Sequence, residues 1–256
     1  MNTNYTTPNQ FRQAVRNARW TEPTAGVMDS FVQANVVILP ESYSKDFARY
    51  CSLNAKACPV LEILEPGQHL TQKLAQDADI RTDVPEYKIY HEGVLTDTTS
   101  NIVNQWRDDL VTFFLGCSFS FEYALKQAGI PVKHQDLGKN VPMYVTNITT
   151  NPTDIFYGPM VVSMRPIPKE QVQECIDITS TFTNNHGAPI HVGNPGSIGI
   201  TDITNPEYGE AVPVETGEVP VFWACGVTPQ AVALLAKPSL MITHSPGHMF
   251  VSDIKL

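Results

Sequence analysis

Cys225 stands between an apolar run and a turn whose sequence is typical of an anion-binding helix start. Residues 218–224 read Glu-Val-Pro-Val-Phe-Trp-Ala, which predicts a buried strand, and Gly226 then lets the chain turn. Thr228 and the proline after it predict a helix, because Thr is a favoured N-cap and Pro fits the first helical position. The N–H groups and the dipole of a helix start favour anions. Cys225, Gly226 and Thr228 are therefore candidate site residues; the alternative is an ordinary core β-α unit with a buried cysteine.

Histidines could supply the proton transfers of such a site. His186 and His191 lie in a loop rich in glycine and proline, and His244 lies near the C-terminus. Histidine can act as an acid and as a base close to neutral pH. Gly193 and Gly196, which follow His191, would let backbone N–H groups approach a ligand closely. The spacing matches neither a dinucleotide-binding motif nor a P-loop, so a well-ordered surface loop is the alternative.

The same residue types could also bind a metal ion, with His186, His191, Asp202, His244 and His248 as candidate ligands. The segment 244–248, His-Ser-Pro-Gly-His, cannot form an uninterrupted helix, because proline and glycine break it. No His-Glu-x-x-His motif occurs in the chain. We predict no metal and no cofactor; the alternative is a divalent ion held by His186, His191 and Asp202.

Three further side chains could attack or bind a carboxylate substrate. Cys117 lies in the stretch 116–122, Gly-Cys-Ser-Phe-Ser-Phe-Glu, near a helix start that would favour a thiolate. This stretch is not a Gly-x-Ser-x-Gly elbow, and a packing turn of small residues is its alternative. Arg165 ends an apolar strand, so its planar fork needs a carboxylate from the protein or from a ligand. Arg81 offers a second cation, although the two aspartates that flank it can satisfy its charge.

The spacing of apolar residues predicts the elements that position these side chains. Near-continuous or alternating apolar runs predict strands at 34–39, 58–64, 87–91, 141–147, 160–165, 218–224, 240–244 and 249–251. Apolar residues spaced three and four apart predict helices at 9–19, 44–53, 106–115, 168–182 and 230–236, and one that ends at Gly129. Strands that alternate with helices in this way indicate an α/β protein.

Composition and charge exclude several classes of protein. The chain has 256 residues, 42% hydrophobic and 17% charged, and its net charge of −9 comes without a basic cluster. Nucleic-acid and membrane partners are therefore not expected. Five cysteines without a Cys-x-x-Cys pair favour free thiols in a reducing compartment. The first residues lack the features of a signal peptide, and no apolar run reaches membrane-spanning length, so we expect a cytoplasmic protein.

Seven stretches, in this order, resemble the hydro-lyase family that includes the D-glutamate cyclases. They are 79–83 (DIRTD), 116–122 (GCSFSFE), 141–147 (VPMYVTN), 161–166 (VVSMRP), 186–191 (HGAPIH), 219–230 (VPVFWACGVTPQ) and 243–247 (THSPG). The resemblance covers nearly the whole chain and implies an α/β fold, with a mixed-sheet body of two closely associated α/β subdomains. We expect residues 1–256 to form one compact unit, with any subdomain boundary near 130–141 and interleaved segments allowed.

The resemblance also implies the cyclisation of D-glutamate to 5-oxo-D-proline with loss of water and without a cofactor. Such chemistry needs a cation for the α-carboxylate, N–H donors for the oxyanion and acid/base groups. Arg165 is the expected clamp, and the turn after Cys225 is the expected source of donors. The acid/base group is expected to be His186, His191 or His244, and a thioester on Cys117 or Cys225 is an additional route.

Two other functions fit the same residues. One is a hydro-lyase that acts on another small carboxylate, with or without a divalent metal. The other is a protein that binds a small carboxylate without turning it over. A homo-oligomer is compatible with each of these functions.

Overall fold

The computed structural model of the protein describes residues 5–256, except for the side chains of residues 233 and 234. Its helices and strands, in chain order, are α1 (Pro8–Arg16), β1 (Phe31–Pro40), α2 (Glu41–Leu53), β2 (Val60–Ile63), β3 (Tyr87–His91), β4 (Val94–Thr99), β5 (Leu110–Gly116), α3 (Phe119–Gln127), α4 (Lys133–Asp136), β6 (Met143–Thr149), β7 (Pro159–Pro168), α5 (Val172–Ser180), β8 (His191–Val192), β9 (Glu218–Ala224), α6 (Thr228–Ala236), β10 (Met241–His244) and β11 (Phe250–Lys255).

The strands form two sheets. The larger has seven strands in the order β2-β5-β1-β10-β3-β4, with β11 also paired to β1. The smaller has four strands in the order β6-β7-β9-β8. Each pairing between the described strands is antiparallel, and the expected α/β class with two sheets is confirmed. The chain leaves the larger sheet after β5 and returns to it at β10, so the smaller sheet comes from the middle of the sequence.

Strand β1 is the centre of the larger sheet because it pairs with β5 on one side and with β10 and β11 on the other. Its residues from Gln33 to Pro40 are all buried, and they pack on both faces. One face joins Val36 and Ile38 to a core with Tyr87 and Phe114. The other joins Val37 to residues of α2, α6 and β9, which links the two sheets through one continuous core.

The helix predicted at residues 106–115 is wrong. Residues 110–116 form β5, which pairs with β1 along seven residues and with β2 on its other edge. Every residue of β5 is buried, so its apolar residues show no two-residue alternation, and a buried helix gives the same short apolar pattern. Trp106 lies outside the strand and follows a single 3-10 turn at 103–105.

The helix predicted at 168–182 also begins differently from expectation. A 3-10 turn occupies residues 169–171, and the α-helix α5 covers only Val172–Ser180. The other predicted helices and strands are present with ends shifted by a few residues. They bring the stretches of interest to the boundary between the two sheets, where β5 turns into α3 and β9 turns into α6.

Candidate active site

Two similar turns meet at the junction of the sheets. One runs from β5 through Cys117 to α3, and the other runs from β9 through Cys225 to α6; both cysteines belong to one buried cluster. Asn35 of β1 holds the first turn, because its Nδ2 donates to the Gly116 carbonyl at 2.6 Å. The second turn needs glycine beside this amide, since a Cβ on residue 226 would lie 2.0 Å from Asn35 Nδ2. Gly226 therefore allows a close approach of β9 and α6 to β1.

The turn after Cys225 is packed shut rather than open to solvent. Residues 225–230 are all buried. The Thr228 hydroxyl lies 2.6 Å from the Cys225 carbonyl and accepts the Val161 N–H at 3.2 Å, so it ties α6 to β7. The anion-binding role of Gly226 and Thr228 stays a prediction, and an anion could reach this turn only after the packing opens.

Both cysteines are buried thiols in the same local geometry. Cys117 Sγ accepts the N–H of Phe119, two residues ahead, at 3.4 Å. Burial raises the pKa of the Cys117 thiol well above its usual range, and that N–H lowers it only in part. Burial likewise raises the pKa of Cys225 to about 11, against the N–H of Val227. The two thiols are therefore protonated at neutral pH, which disfavours nucleophilic attack from this conformation.

Arg165 is fully buried and already holds a carboxylate of the protein. Its Nε donates to Oε1 of Glu122 at 2.8 Å, and its Nη2 contacts the same oxygen. Its other bonds go to the hydroxyls of Ser163 and Ser118, each at 3.0 Å. The ring of Phe121 stacks on the guanidinium at 5.0 Å. The partner that the sequence required for Arg165 is thus Glu122, and a substrate carboxylate would have to displace it.

Glu122 links this ion pair to α4. Its Oε2 accepts a bond from Gln135, and His134 Nε2 lies 3.4 Å from its Oε1. Burial acts to raise the pKa of Glu122, but His134 and Arg165 outweigh burial and lower it to about 2. Sequence reasoning missed Glu122 and His134 as members of this network. The signal that could have found Glu122 was its place at the end of the unusual stretch 116–122, because Arg165 needed a partner.

His186 is a buried imidazole with one free ring nitrogen. Its backbone adopts φ +78°, in the left-handed region. Nδ1 lies 2.8 Å from the Lys56 carbonyl, so Nδ1 carries the hydrogen and Nε2 presents a lone pair. Nε2 has no hydrogen-bond partner among the described residues. Burial, with a smaller contribution from Arg165, outweighs the backbone bonds to Lys56 and Gly116 and lowers the pKa of His186 to about 4, so the ring is neutral at neutral pH.

His244 is a second buried imidazole, and its Nδ1 contacts both backbone groups of Val36. Its Nδ1 lies 3.1 Å from the Val36 N–H, which can only donate, and 3.3 Å from the Val36 carbonyl. Nδ1 accepts that N–H when Nε2 carries the ring hydrogen, and it donates to that carbonyl when Nε2 carries the lone pair. Nε2 is buried and has no partner in the described part of the chain. Burial lowers the pKa of His244 to about 4, with smaller contributions from His248 and Lys88. His186 lies near Gly116 at the end of β5, whereas His244 is the last residue of β10, and β1 separates those two strands.

The remaining candidates lie elsewhere. His191 is in β8 at the edge of the smaller sheet, and its Nε2 contacts the Asn194 carbonyl at 2.7 Å. Gly193 and Gly196 continue that partly exposed edge. Arg81 pairs with Asp79 at 2.7 Å. The structure therefore does not bring these four residues to the junction that holds Cys117, Cys225 and Arg165.

Among residues 5–256, outside the side chains at 233 and 234, no group of three or more His, Cys, Asp and Glu side chains is arranged to hold a metal ion. The absence of a metal requirement stays a prediction. None of the described helices is long and apolar enough to cross a membrane.

Comparison with known proteins shows to which family the chain belongs. A family model described as D-glutamate cyclase matches residues 111–253. The chain belongs to the D-glutamate cyclase family. Curated relatives include "Putative hydro-lyase YcsI" of Bacillus subtilis, which is 51% identical over 97% of this chain and 96% of its own length. "Putative hydro-lyase" proteins of Bacillus pumilus and Verminephrobacter eiseniae are 50% and 52% identical over 96% and 95% of this chain, and 94% and 89% of their own.

Membership of the D-glutamate cyclase family places the chain among the carbon–oxygen lyases of the hydro-lyase class. A solved structure of a nitrogen repressor-like protein from Methanococcus jannaschii covers 92% of this chain, and this chain covers 91% of it, with a TM-score of 0.40 and 11% identity. That likeness carries no argument about function.

Proposed function

We propose that this enzyme cyclises D-glutamate to 5-oxo-D-proline with release of water, in the cytoplasm and without ATP, metal or cofactor. Family membership supports the substrate. The observation that carries the proposal is His244, a buried and neutral imidazole whose Nε2 has no partner among the described residues. A neutral imidazole held ready in a buried site is suited to the proton transfers that cyclisation requires.

The reaction balances without any co-reactant. The α-nitrogen forms a bond to the side-chain carboxyl carbon, and one carbon–oxygen bond of that carboxyl breaks. Of the three protons on the substrate ammonium, one stays on the lactam nitrogen. The other two leave with the departing oxygen as water. The enzyme therefore has to move protons from nitrogen to oxygen and to hold the substrate in a folded geometry, which lowers the entropic part of the barrier.

One imidazole can perform this transfer. With its Nδ1–H donated to the Val36 carbonyl, His244 accepts a proton from the ammonium at the Nε2 lone pair, and the imidazolium that forms gives this proton to an oxygen of the side-chain carboxyl. A second round of the same transfer moves the other proton, so the oxygen leaves as water and the ring ends neutral. The lowered pKa favours this cycle because the ring starts neutral. His186 is the alternative, and its Nε2 lone pair would take the ammonium proton first. One small substrate is not expected to contact both rings, because they lie beside different strands.

The cysteines offer a second route that the site favours less. A thioester would need a thiolate on Cys117 or Cys225, and burial raises the pKa of both thiols. Binding of the substrate carboxylate by Arg165 is also disfavoured, because its guanidinium already binds the carboxylate of Glu122. We keep both roles as proposals that single substitutions can test, with His244 as the main acid/base group.

Turnover of D-glutamate in a buffer with a chelator and without ATP tests the proposal. Formation of 5-oxo-D-proline is measured by chiral chromatography with mass detection, against heat-inactivated protein. His244→Ala should lower the rate by about 10²–10⁴-fold. Substrate that binds but is not converted would favour a carboxylate-binding protein. Conversion of a different hydroxy acid alone would favour another hydro-lyase, since the relatives' names specify no substrate.

A further inference from the structure

A single amide lies between the buried carboxylate of Glu122 and a surface cleft. The Glu122 side chain is fully buried, and its Oε1 contacts two nitrogens of Arg165. Its Oε2 accepts a hydrogen bond from Gln135 Nε2, and no other described residue donates to this oxygen. Gln135 is at the same time one of the residues that line the cleft. Displacement of this one side chain would therefore connect Glu122 Oε2 with the cleft.

The cleft lies over the junction of the two sheets. It has a volume of about 380 Å³, and its walls come from the segments 20–27 and 135–140 together with Glu210. Ala25, in the first wall, packs against the buried cluster that contains Cys117 and Cys225. The cleft is large enough to admit a molecule of the size of an amino acid, and it forms an entrance to this junction.

The Gln135 amide is held weakly on the side away from Glu122. Its Oε1 accepts a bond from Lys126 Nζ at 3.3 Å, whereas Lys126 makes a shorter contact of 2.8 Å with Asp29. Lys126 therefore keeps a carboxylate partner when Gln135 moves. Rotation of the Gln135 side chain would expose Glu122 Oε2 and leave the ion pair of Glu122 with Arg165 in place.

The exposed oxygen would be a strong acceptor for an ammonium group. Burial raises the pKa of Glu122, but His134 and Arg165 outweigh burial and lower the pKa to about 2, so the carboxylate is ionised. A hydrogen bond from an ammonium to a carboxylate is stronger than one from a neutral amide. An ammonium group of a ligand can therefore replace the N–H of Gln135 on this oxygen.

The charges on the walls favour a ligand that carries both an ammonium and a carboxylate. Glu22 and Glu210 line the cleft, so a ligand with carboxylates alone would be repelled. Lys139 lines it as well, and its Nζ donates to the Ala211 carbonyl at 2.7 Å. No described carboxylate forms an ion pair with Lys139, so its charge is available to a ligand.

We propose that the cleft is a binding site for an amino acid and that Gln135 is a gate over Glu122. When Gln135 rotates away, the ammonium of the ligand donates to Glu122 Oε2, and the carboxylate of the ligand pairs with Lys139. The cleft then holds the amino acid at the entrance to the junction. The site stands on the contacts of Glu122 and Gln135, whereas D-glutamate as its ligand rests on the proposed function.

Two probes that differ only in the ammonium group test the gate by NMR titration of the full chain. They are D-alanine, whose side chain has no carboxyl that could form a lactam, and propionate. Gln135→Ala removes the competing amide, so it should bind D-alanine about tenfold more tightly and propionate as the wild type does. Gln135→Lys brings its own ammonium to Oε2, so it should abolish D-alanine binding.

Gln173 is the matched control, because its Nε2 donates to the exposed carboxylate of Asp177 at 2.8 Å and lies outside the cleft. Gln173→Ala and Gln173→Lys should bind both probes as the wild type does. Equal affinities of Gln135→Ala and Gln173→Ala for D-alanine would overturn the proposal. Equal gains for D-alanine and propionate, or no binding of D-alanine to the wild type, would do the same.

Thermal unfolding gives a readout that also detects damage to the fold. Gln135→Ala leaves Glu122 Oε2 without a donor, so it should lower the melting temperature, and D-alanine should recover part of the loss. An equal recovery by propionate would contradict binding of the ammonium. If D-alanine binds at this site but D-glutamate is not converted, the proposed function fails and the site stands. If the wild type and Gln135→Lys convert D-glutamate equally fast, the proposed function stands and the site fails as an entrance.

Discussion

Arg165 and Glu122 form a fully buried ion pair in which two guanidinium nitrogens contact one carboxylate oxygen. Neither side chain is exposed to solvent. The pair joins β7 to α3, which connects the smaller sheet to the helix that follows β5. The positive charge of Arg165 in this junction is therefore neutralised by the carboxylate of Glu122. This arrangement makes a structural role of Arg165 testable separately from a role in binding substrate.

Removing one partner of this pair should destabilise the fold. We expect Arg165→Met to lower the free energy of unfolding by about 3–5 kcal/mol, because it leaves the Glu122 carboxylate buried without a counter-ion. The matched control is Arg107→Met, which breaks an exposed pair with Asp109 and should cost at most about 1 kcal/mol. Urea denaturation followed by circular dichroism measures both. Similar losses in the two variants would contradict the structural role.

Arg165→Lys separates this role from the substrate clamp. Lysine keeps the charge but loses the planar fork. The ion pair with Glu122 is present in either case, so stability should fall in both. If Arg165 also binds substrate, the variant should weaken D-glutamate binding as well. If Arg165 serves only the ion pair, stability should fall and binding should remain. Calorimetry and urea denaturation on the same sample decide between the two.

Gly226→Ala should disrupt the close contact between the second turn and β1. A Cβ at this position would lie 2.0 Å from Asn35 Nδ2, which packing cannot accommodate without a shift. We expect a loss of about 1–3 kcal/mol, typical of overpacking. Gly196→Ala is the control, because its Cβ would meet only the Asn194 side chain at 3.3 Å. A second change, Asn35→Ala, should recover part of the stability that Gly226→Ala loses. Wild-type stability of Gly226→Ala would show that the turn is loosely packed.

The buried histidines should make the fold sensitive to acid. Burial lowers the pKa of His186 and His244 to about 4 from an unfolded value of 6.5, so the unfolded chain binds more protons between these values. The contribution of the neutral rings to the free energy of unfolding is therefore fully present above pH 6.5. It is lost as the pH drops towards 4, by roughly 3 kcal/mol for each histidine. His244→Gln should flatten this slope, whereas His91→Gln, an exposed control, should keep it. An unchanged slope in His244→Gln would contradict the buried neutral ring.

Thiol labelling tests whether either cysteine is poised as a nucleophile. Burial raises the pKa of Cys225 to about 11 and that of Cys117 further, so both should react slowly with iodoacetamide in the native protein at pH 8. Mass spectrometry of peptides labelled before and after unfolding in urea gives the two rates. Rapid native labelling of Cys225, together with inactivity of Cys225→Ser, would favour the thioester route.

The sequence predicted most elements because their patterns are local. The strands β1, β3 and β9 follow from apolar runs, and the turn at Cys225 follows from Gly226 and the Thr-Pro pair. Strand β5 was missed because a strand buried on both faces has the same apolar pattern as a short buried helix. The family resemblance was confirmed by the comparisons.

The site was harder to predict because its members are distant in the sequence. The pairing of Arg165 with Glu122, 43 residues apart, depends on how α3 packs against β7. Free polar atoms, such as Oε1 of Gln230, have no sequence signal, since they are defined by a partner that is absent.

The conversion of D-glutamate labelled with oxygen-18 in its side-chain carboxyl tests the central claim most directly. Proton NMR follows 5-oxoproline formation without ATP, and mass spectrometry follows the label, with L-glutamate in a parallel sample. We predict that wild-type protein forms 5-oxo-D-proline with one of the two labelled oxygens retained and the other released in water, and that His244→Ala does so far more slowly. Unchanged D-glutamate, or 5-oxoproline formed no faster than in buffer, would contradict the account.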